Sequence, residues 1–240
     1  MTWYAKPSGP YAYSSPENAA NSIEIFNILS GQGFTVEAIA GVCANSQHES
    51  GLNPWRWQND TVSPTYSNGY GLLQWTPAYG YLDLSGTTPN MSVTAQTQGA
   101  TPEDGARQMQ AFYEDNPAKW HSSCWRSYWD TTTYSEYYAK TRYILNTWGN
   151  GTKITLDQFK TINDASYAAD CFLACFEGPG TPDYLQREAT AAQFYERFTG
   201  VTPDPPTPPP DPTPPPVVTD SIYWFLKRQA DKMNTSLIMK

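Results

Sequence analysis

Histidine is nearly missing from this chain. Two occur in 240 residues, His48 and His121, which leaves little room for an amidase, a His-containing metallopeptidase or a Cys–His nucleophile. Cysteine is also scarce. Cys43, Cys124, Cys171 and Cys175 are too few for a disulfide scaffold at this length. Cys43 and the pair Cys171/Cys175 fall in apolar helical patterns, which favours buried reduced thiols. The spacing of His121 and Cys124 against Cys171 and Cys175 fits no zinc pattern, so neither metal nor cofactor is expected. Charge is sparse and acidic, with 16% charged residues and a net charge of -8. Neutralising phosphates takes basic patches, so nucleic acid is excluded as a target. No apolar run approaches the ~20 residues that cross a bilayer. Residues 1–7 lack the apolar core of a secretory signal, which predicts synthesis in the cytoplasm and export, if any, by another vehicle.

Aromatic residues, in contrast, are abundant at 15%, with 17 Tyr and 9 Trp. They serve either as core or as flat faces for sugars. Residues 1–13 read as an irregular arm. Ser14-Ser15-Pro16-Glu17 starts a helix, with Ser as cap and Pro in its first turn, and Ala19, Ile23, Phe26 and Leu29 share a face. Thr35 caps a second helix with a stripe of Val36, Ile39, Ala40, Cys43 and Ala44, ending near Ser50-Gly51. From Trp55 to Pro77 the helical period vanishes and turn signals take over, so a small β region is expected there. Tyr81 to Gly99 reads as a polar loop. Helical patterns resume at Thr101-Pro102-Glu103-Asp104, then over Ser135–Trp148, Leu156–Ile162, Ser166–Glu177 and Asp183–Phe198, with an irregular aromatic stretch from Trp120 to Thr133. The expected fold is α+β and mainly helical, over residues 14–200.

Beyond Gly200 the composition changes. Ten of the 21 prolines lie between Pro203 and Pro216, so residues 201–218 read as an extended, semi-rigid linker. Residues 219–240 form a locally basic tail, either frayed or a short amphipathic helix that docks on a partner.

The most informative run is Gln47-His48-Glu49-Ser50-Gly51-Leu52-Asn53-Pro54, followed by Gly69-Tyr70-Gly71-Leu72-Leu73-Gln74-Trp75-Thr76-Pro77. Glu49 falls in the last turn of a largely buried helix. The negative end of the helix dipole and apolar neighbours both disfavour an ionised carboxylate there, as suits a proton donor. These two runs, with Trp57-Gln58 between them and Ala168–Gly180 later, resemble the bacteriophage tail lysozyme family in ordered landmarks from about Ser14 to Phe198. That resemblance implies a lysozyme-like domain with a cleft, cleavage of the β-1,4 bond between N-acetylmuramic acid and N-acetylglucosamine in peptidoglycan, and a place in the virion at the tail tip. A virion would also be the vehicle, and tail proteins would be partners for residues 219–240.

Carried onto this sequence, the resemblance makes Glu49 the general acid and Gln74 an amide for N-acetyl or peptide groups. Ser50 would bond the Glu49 carboxyl. Trp57, Tyr70 and Trp75 are sugar platforms or core. Asp60, in the loop after Glu49, is either the second catalytic carboxylate or an Asn-Asp turn residue. His48 reads as structural. Three functions stay open: a muramidase, a lytic transglycosylase using Glu49 alone, and a tail structural or wall-binding protein without activity.

Overall fold

A buried helix rich in small residues runs through the middle of the unit spanning residues 1–207. The computed structural model describes residues 3–6, 9–60, 68–76, 78, 104–115, 133–178 and 181–202, all within one compact unit, Met1–Thr207. The readings made for 61–67, Tyr81–Gly99, Thr101–Glu103, 120–132, the proline run and the tail lie outside the described residues, as do His121 and Cys124. The described helices are α1 (Pro16–Gly31), α2 (Val36–Ser50), α3 (Gly105–Gln110), α4 (Ser135–Thr147), α5 (Leu156–Phe159), α6 (Ala165–Phe172) and α7 (Tyr184–Thr199). Both α3 and α6 run on into π-helical turns, Ala111–Asp115 and Leu173–Glu177.

Helix α2 is buried on every side from Ala38 to Ser46. Its Ala38, Ala40, Gly41 and Ala44 let neighbours approach closely. A methyl group at Gly41 would lie 2.7 Å from the Ala168 carbonyl carbon of α6, so the crossing admits no larger residue. Helices α6 and α7 pack on α2 and on each other. The Thr35 hydroxyl caps α2 through the Ala38 N–H. At the other end Gly51, left-handed at φ 62°, returns its N–H to the Gln47 carbonyl. Glu49 thereby stands two residues before a sharp stop, in the last turn of a closely packed helix.

Several expectations change on folding. The inward face of α1 is Asn18, Asn21, Ser22, Ile25 and Leu29, while Ile23 is exposed. The buried asparagines bond neighbouring segments: Asn21 donates to the carbonyls of Tyr4 and Leu52. Buried amides with full partners are stable in a core, so an apolar stripe misreads this face. The N-terminal arm lacks regular structure but is tied down. Asn53, fully buried, accepts from the Lys6 N–H and donates to the carbonyls of Lys6 and Gly9. Helix α3 follows Asp104, whose carboxylate caps the Ala106 N–H. Among the described residues the β region is reduced to two isolated bridges, Trp57 with Tyr70 and Tyr70 with Trp75. Cys43 and Cys171 are free buried thiols, and burial pushes both up. Cys175, however, is disulfide-bonded; helical periodicity reports only that a position is buried and cannot tell a thiol from a bridge.

Candidate active site

Glu49 lines a cleft of about 220 Å³ together with Arg56, Gln58, Asn59, Gln74 and Thr76. All six described lining residues are polar. The carboxyl group has two different sides. Its Oε1 accepts a hydrogen bond of 2.7 Å from Nη2 of Arg187 on α7. Among the described residues its Oε2 has no hydrogen-bond partner, and the side chain keeps 23% of its surface exposed, so this oxygen is the one open to the cleft that Glu49 lines.

Arg187 replaces the apolar surroundings expected for Glu49, and its own side chain is only 7% exposed. Besides Glu49 it donates from Nη1 to Asn45 Oδ1 at 2.7 Å and from Nε to Asp183 Oδ1 at 2.8 Å. Asn45 in turn donates to the carbonyls of Gly41 and Ala169. Burial acts to lower the Arg187 pKa, but the Glu49 and Asp183 carboxylates and their hydrogen bonds outweigh it and raise it. The guanidinium therefore stays charged, and three helices determine where Glu49 Oε1 sits.

Opposite the acid, the wall is made of loop. Gln74 donates both amide hydrogens to backbone, to the carbonyls of Arg56 and Gly71. Its backbone lies at φ 43°, and Leu52, Asn59 and Asp60 are also left-handed, at φ 57°, 59° and 54°. Among the described residues these four are all the non-glycine positions with positive φ, and two of them, Asn59 and Gln74, line the cleft. Such conformations cost of order 1 kcal/mol each and persist where surrounding bonds enforce them. Gln108 supplies one such bond, accepting from the Leu72 N–H and donating to the Pro54 carbonyl.

The remaining expected site residues divide. Gln74 stands in the cleft with Glu49. Trp57, Tyr70 and Trp75 are 5%, 1% and 3% exposed, and Trp57 packs on Tyr70 with ring centroids 4.5 Å apart. All three belong to the core, so their rings are packed inside instead of facing the cleft. Ser50 is fully buried. Its hydroxyl lies 2.9 and 3.0 Å from the carbonyls of Ser46 and Leu72, so it fastens α2 to the 71–74 turn instead of bonding the Glu49 carboxyl. Asp60 is not among the lining residues. Its Oδ1 accepts from Nε of Arg56 and from the Gly9 N–H, each at 3.0 Å. His48 joins α2 to α7 through Thr190 and Asp183. Arg187, Asn45 and Arg56 were not foreseen. Their signal was present as pairs one helical turn apart, Asn45 with Glu49 and Asp183 with Arg187, which set polar groups on faces that otherwise pack inward.

A buried central helix ends in a tethered carboxylate that faces a loop-built polar cleft, an arrangement consistent with a helical lysozyme-like fold. The chain matches the phage tail lysozyme family over residues 20–198, and it belongs to that family. It is similar to Morphogenesis protein 1 of Bacillus phage B103, at 29% identity over 188 residues. The match covers 78% of this chain and 41% of that protein, so the chain spans less than half the length of this relative. Among the described residues no helix is long and apolar enough to cross a membrane.

Proposed function

We propose that this chain is a peptidoglycan glycosidase carried in a phage virion, cutting the β-1,4 bond between N-acetylmuramic acid and N-acetylglucosamine with Glu49 as general acid. The observation that supports it is the asymmetry of the Glu49 carboxyl, with Oε1 held by a buried cation and Oε2 left to the cleft. In this reading Oε2 gives its proton to the glycosidic oxygen as the C1–O bond breaks. Negative charge then develops on Glu49, and Arg187 is already in place to stabilise it. Water attacks C1 and returns a proton to the carboxylate. Gln74 Oε1 and the Asn59 amide bond the N-acetyl groups. A tail-tip position and docking of residues 219–240 on tail proteins follow from the family's setting.

Asp60 belongs in this reading to Arg56 and not to the sugar, because its carboxylate meets the Arg56 guanidinium and the N-terminal arm. That favours a second reading, in which the C6 hydroxyl of the substrate replaces water and leaves an anhydro sugar. Product analysis separates them: a reducing muramic end marks hydrolysis, an anhydro end transglycosylation. The test of both is Glu49→Gln, which keeps an oxygen to accept from Arg187 but has no proton to give. Clearing of purified cell walls should fall by about 100-fold or more at a temperature where the variant is still fully folded. Equal clearing by both proteins would leave the chain a non-catalytic tail component.

A further inference from the structure

In a chain of net charge -8, the described lining of the cleft includes a cation. Arg56 sits beside the acid, donating from Nη1 to the Glu49 backbone carbonyl at 3.3 Å and from Nε to Asp60. A guanidinium has five N–H donors, and among the described residues these two bonds leave one hydrogen on Nη1 and both on Nη2 without partners. Asp60 takes the Nε edge. It steers the group more than it neutralises it, since its own side chain is 43% exposed. The Arg56 side chain is only 20% exposed, so a second anion reaching it would be weakly screened. The Arg56 backbone is fixed as well: its carbonyl accepts from the Gly71 N–H and from Gln74 Nε2. A partly desolvated, aimed cation with open donors, next to the proton donor, is built to receive an anion that arrives with the substrate.

We infer that Arg56 is a specificity-determining residue whose open guanidinium edge takes a carboxylate carried by the glycan beside the scissile bond. This rests on the reading of Glu49 given above. Muramic acid differs from glucosamine by its lactyl group, so a peptide-free strand presents one carboxylate at every second sugar. In a peptide-bearing strand that carboxyl is an amide, and the nearest anions are carboxylates of the stem peptide. Both sources have the same chemistry. A neutral chitin-type strand has neither.

The experiment compares two substrates, each native and with its carboxylates converted to carboxamides: peptide-free muramoyl glycan, and soluble peptide-bearing fragments. Wild-type protein, Arg56→Gln, Arg56→Lys and Glu49→Gln are assayed at low and high salt. Amidation should lower the wild-type kcat/KM by about tenfold or more on whichever substrate carries the carboxylate that Arg56 reads, and that arm identifies the source. Arg56→Gln should cut native and amidated forms at one rate, Arg56→Lys should keep part of the preference, and high salt should shrink it. The preference is a ratio within one variant, so partial loss of folding does not disturb it. Equal wild-type rates on native and amidated forms of both substrates would overturn the inference, as would an equal response to amidation by wild type and Arg56→Gln. If Glu49→Gln cuts as fast as wild type, the glycosidase reading itself has failed.

Discussion

The two walls of the cleft are held by different means. On the acid's side, α2, α6 and α7 press small residues together, and a buried arginine bonds to three side chains. On the other side, residues 52–60 and 69–76 follow an irregular path with four left-handed non-glycine residues, fixed by single amides such as Asn53, Gln74 and Gln108. A proton donor must stay within a few tenths of an ångström of its productive place, which close-packed helices provide. A surface that follows the shape of a glycan needs backbone directions that helices do not offer, and it carries the associated strain. Thus the side that carries Glu49 is held by packing, and the side that faces it is held by hydrogen bonds.

The largest break should come from removing the centre of the rigid side. Arg187→Met leaves Glu49, Asp183 and Asn45 without their common partner. Breaking a buried pair in this way costs about 3 kcal/mol, the lower end of the usual range because Glu49 and Asp183 are partly exposed. For a domain of this size that is a drop of roughly 6–12 °C in melting temperature. Assayed well below that temperature, kcat should fall by about 100-fold with KM nearly unchanged. Arg187→Lys keeps the charge but not the fork, and should recover part of kcat. A purely structural arginine would lower the melting temperature and leave kcat of the folded fraction intact.

A smaller break tests the other wall. Gly71 lies at φ 80°, and a methyl group there would come 2.5 Å from Gln108 Oε1, the atom that accepts from Leu72. Gly33 has almost the same backbone, φ 81°, with open space around it. Alanine at either position meets the left-handed penalty of about 1 kcal/mol. Gly71→Ala should add the displacement of Gln108 and raise KM several-fold with a modest change in kcat, whereas Gly33→Ala should alter stability alone. Equal kinetics for the two variants would mean that the 71–74 turn does not shape the sugar site.

The same division governs what was legible beforehand. Helix α2, its Thr35 cap, its Gly51 stop and the place of Glu49 follow from periodicity and capping, because local chemistry decides them. Gln74 was legible through the family's motif. Arg187 was not, since it reaches Glu49 from 138 positions away, and its spacing from Asp183 marks a local pair without marking the distant carboxyl it folds towards. Trp57, Tyr70 and Trp75 misled because an aromatic among glycines reads alike whether it faces sugar or core. The polar face of α1 was hidden for a related reason: Asn18 and Asn21 are interior only because distant backbone groups come to meet them.

The smallest expected effect tests the seam between α2 and α7 by pH. The Thr190 hydroxyl gives its proton to the Gln186 carbonyl, so His48 Nε2, 3.1 Å away, acts as donor to it. Burial first, and the nearby Arg187 second, lower the His48 pKa; Asp183 and Glu49 oppose them without reversing the sign. A depressed value means that the unfolded chain takes up a proton before the folded one does, near its ordinary pKa of about 6.5. The stability that neutral His48 contributes is therefore present above pH ~6.5 and is lost as pH falls through the folded value. The melting temperature should decline across that window, and His48→Gln should remove that part of the slope. If the wild-type slope has the opposite sign, the ring is held as an imidazolium by Asp183, and the seam is an ion pair instead of a neutral hydrogen bond. The Arg187 and His48 variants would then couple strongly, whereas a neutral ring predicts that their effects nearly add.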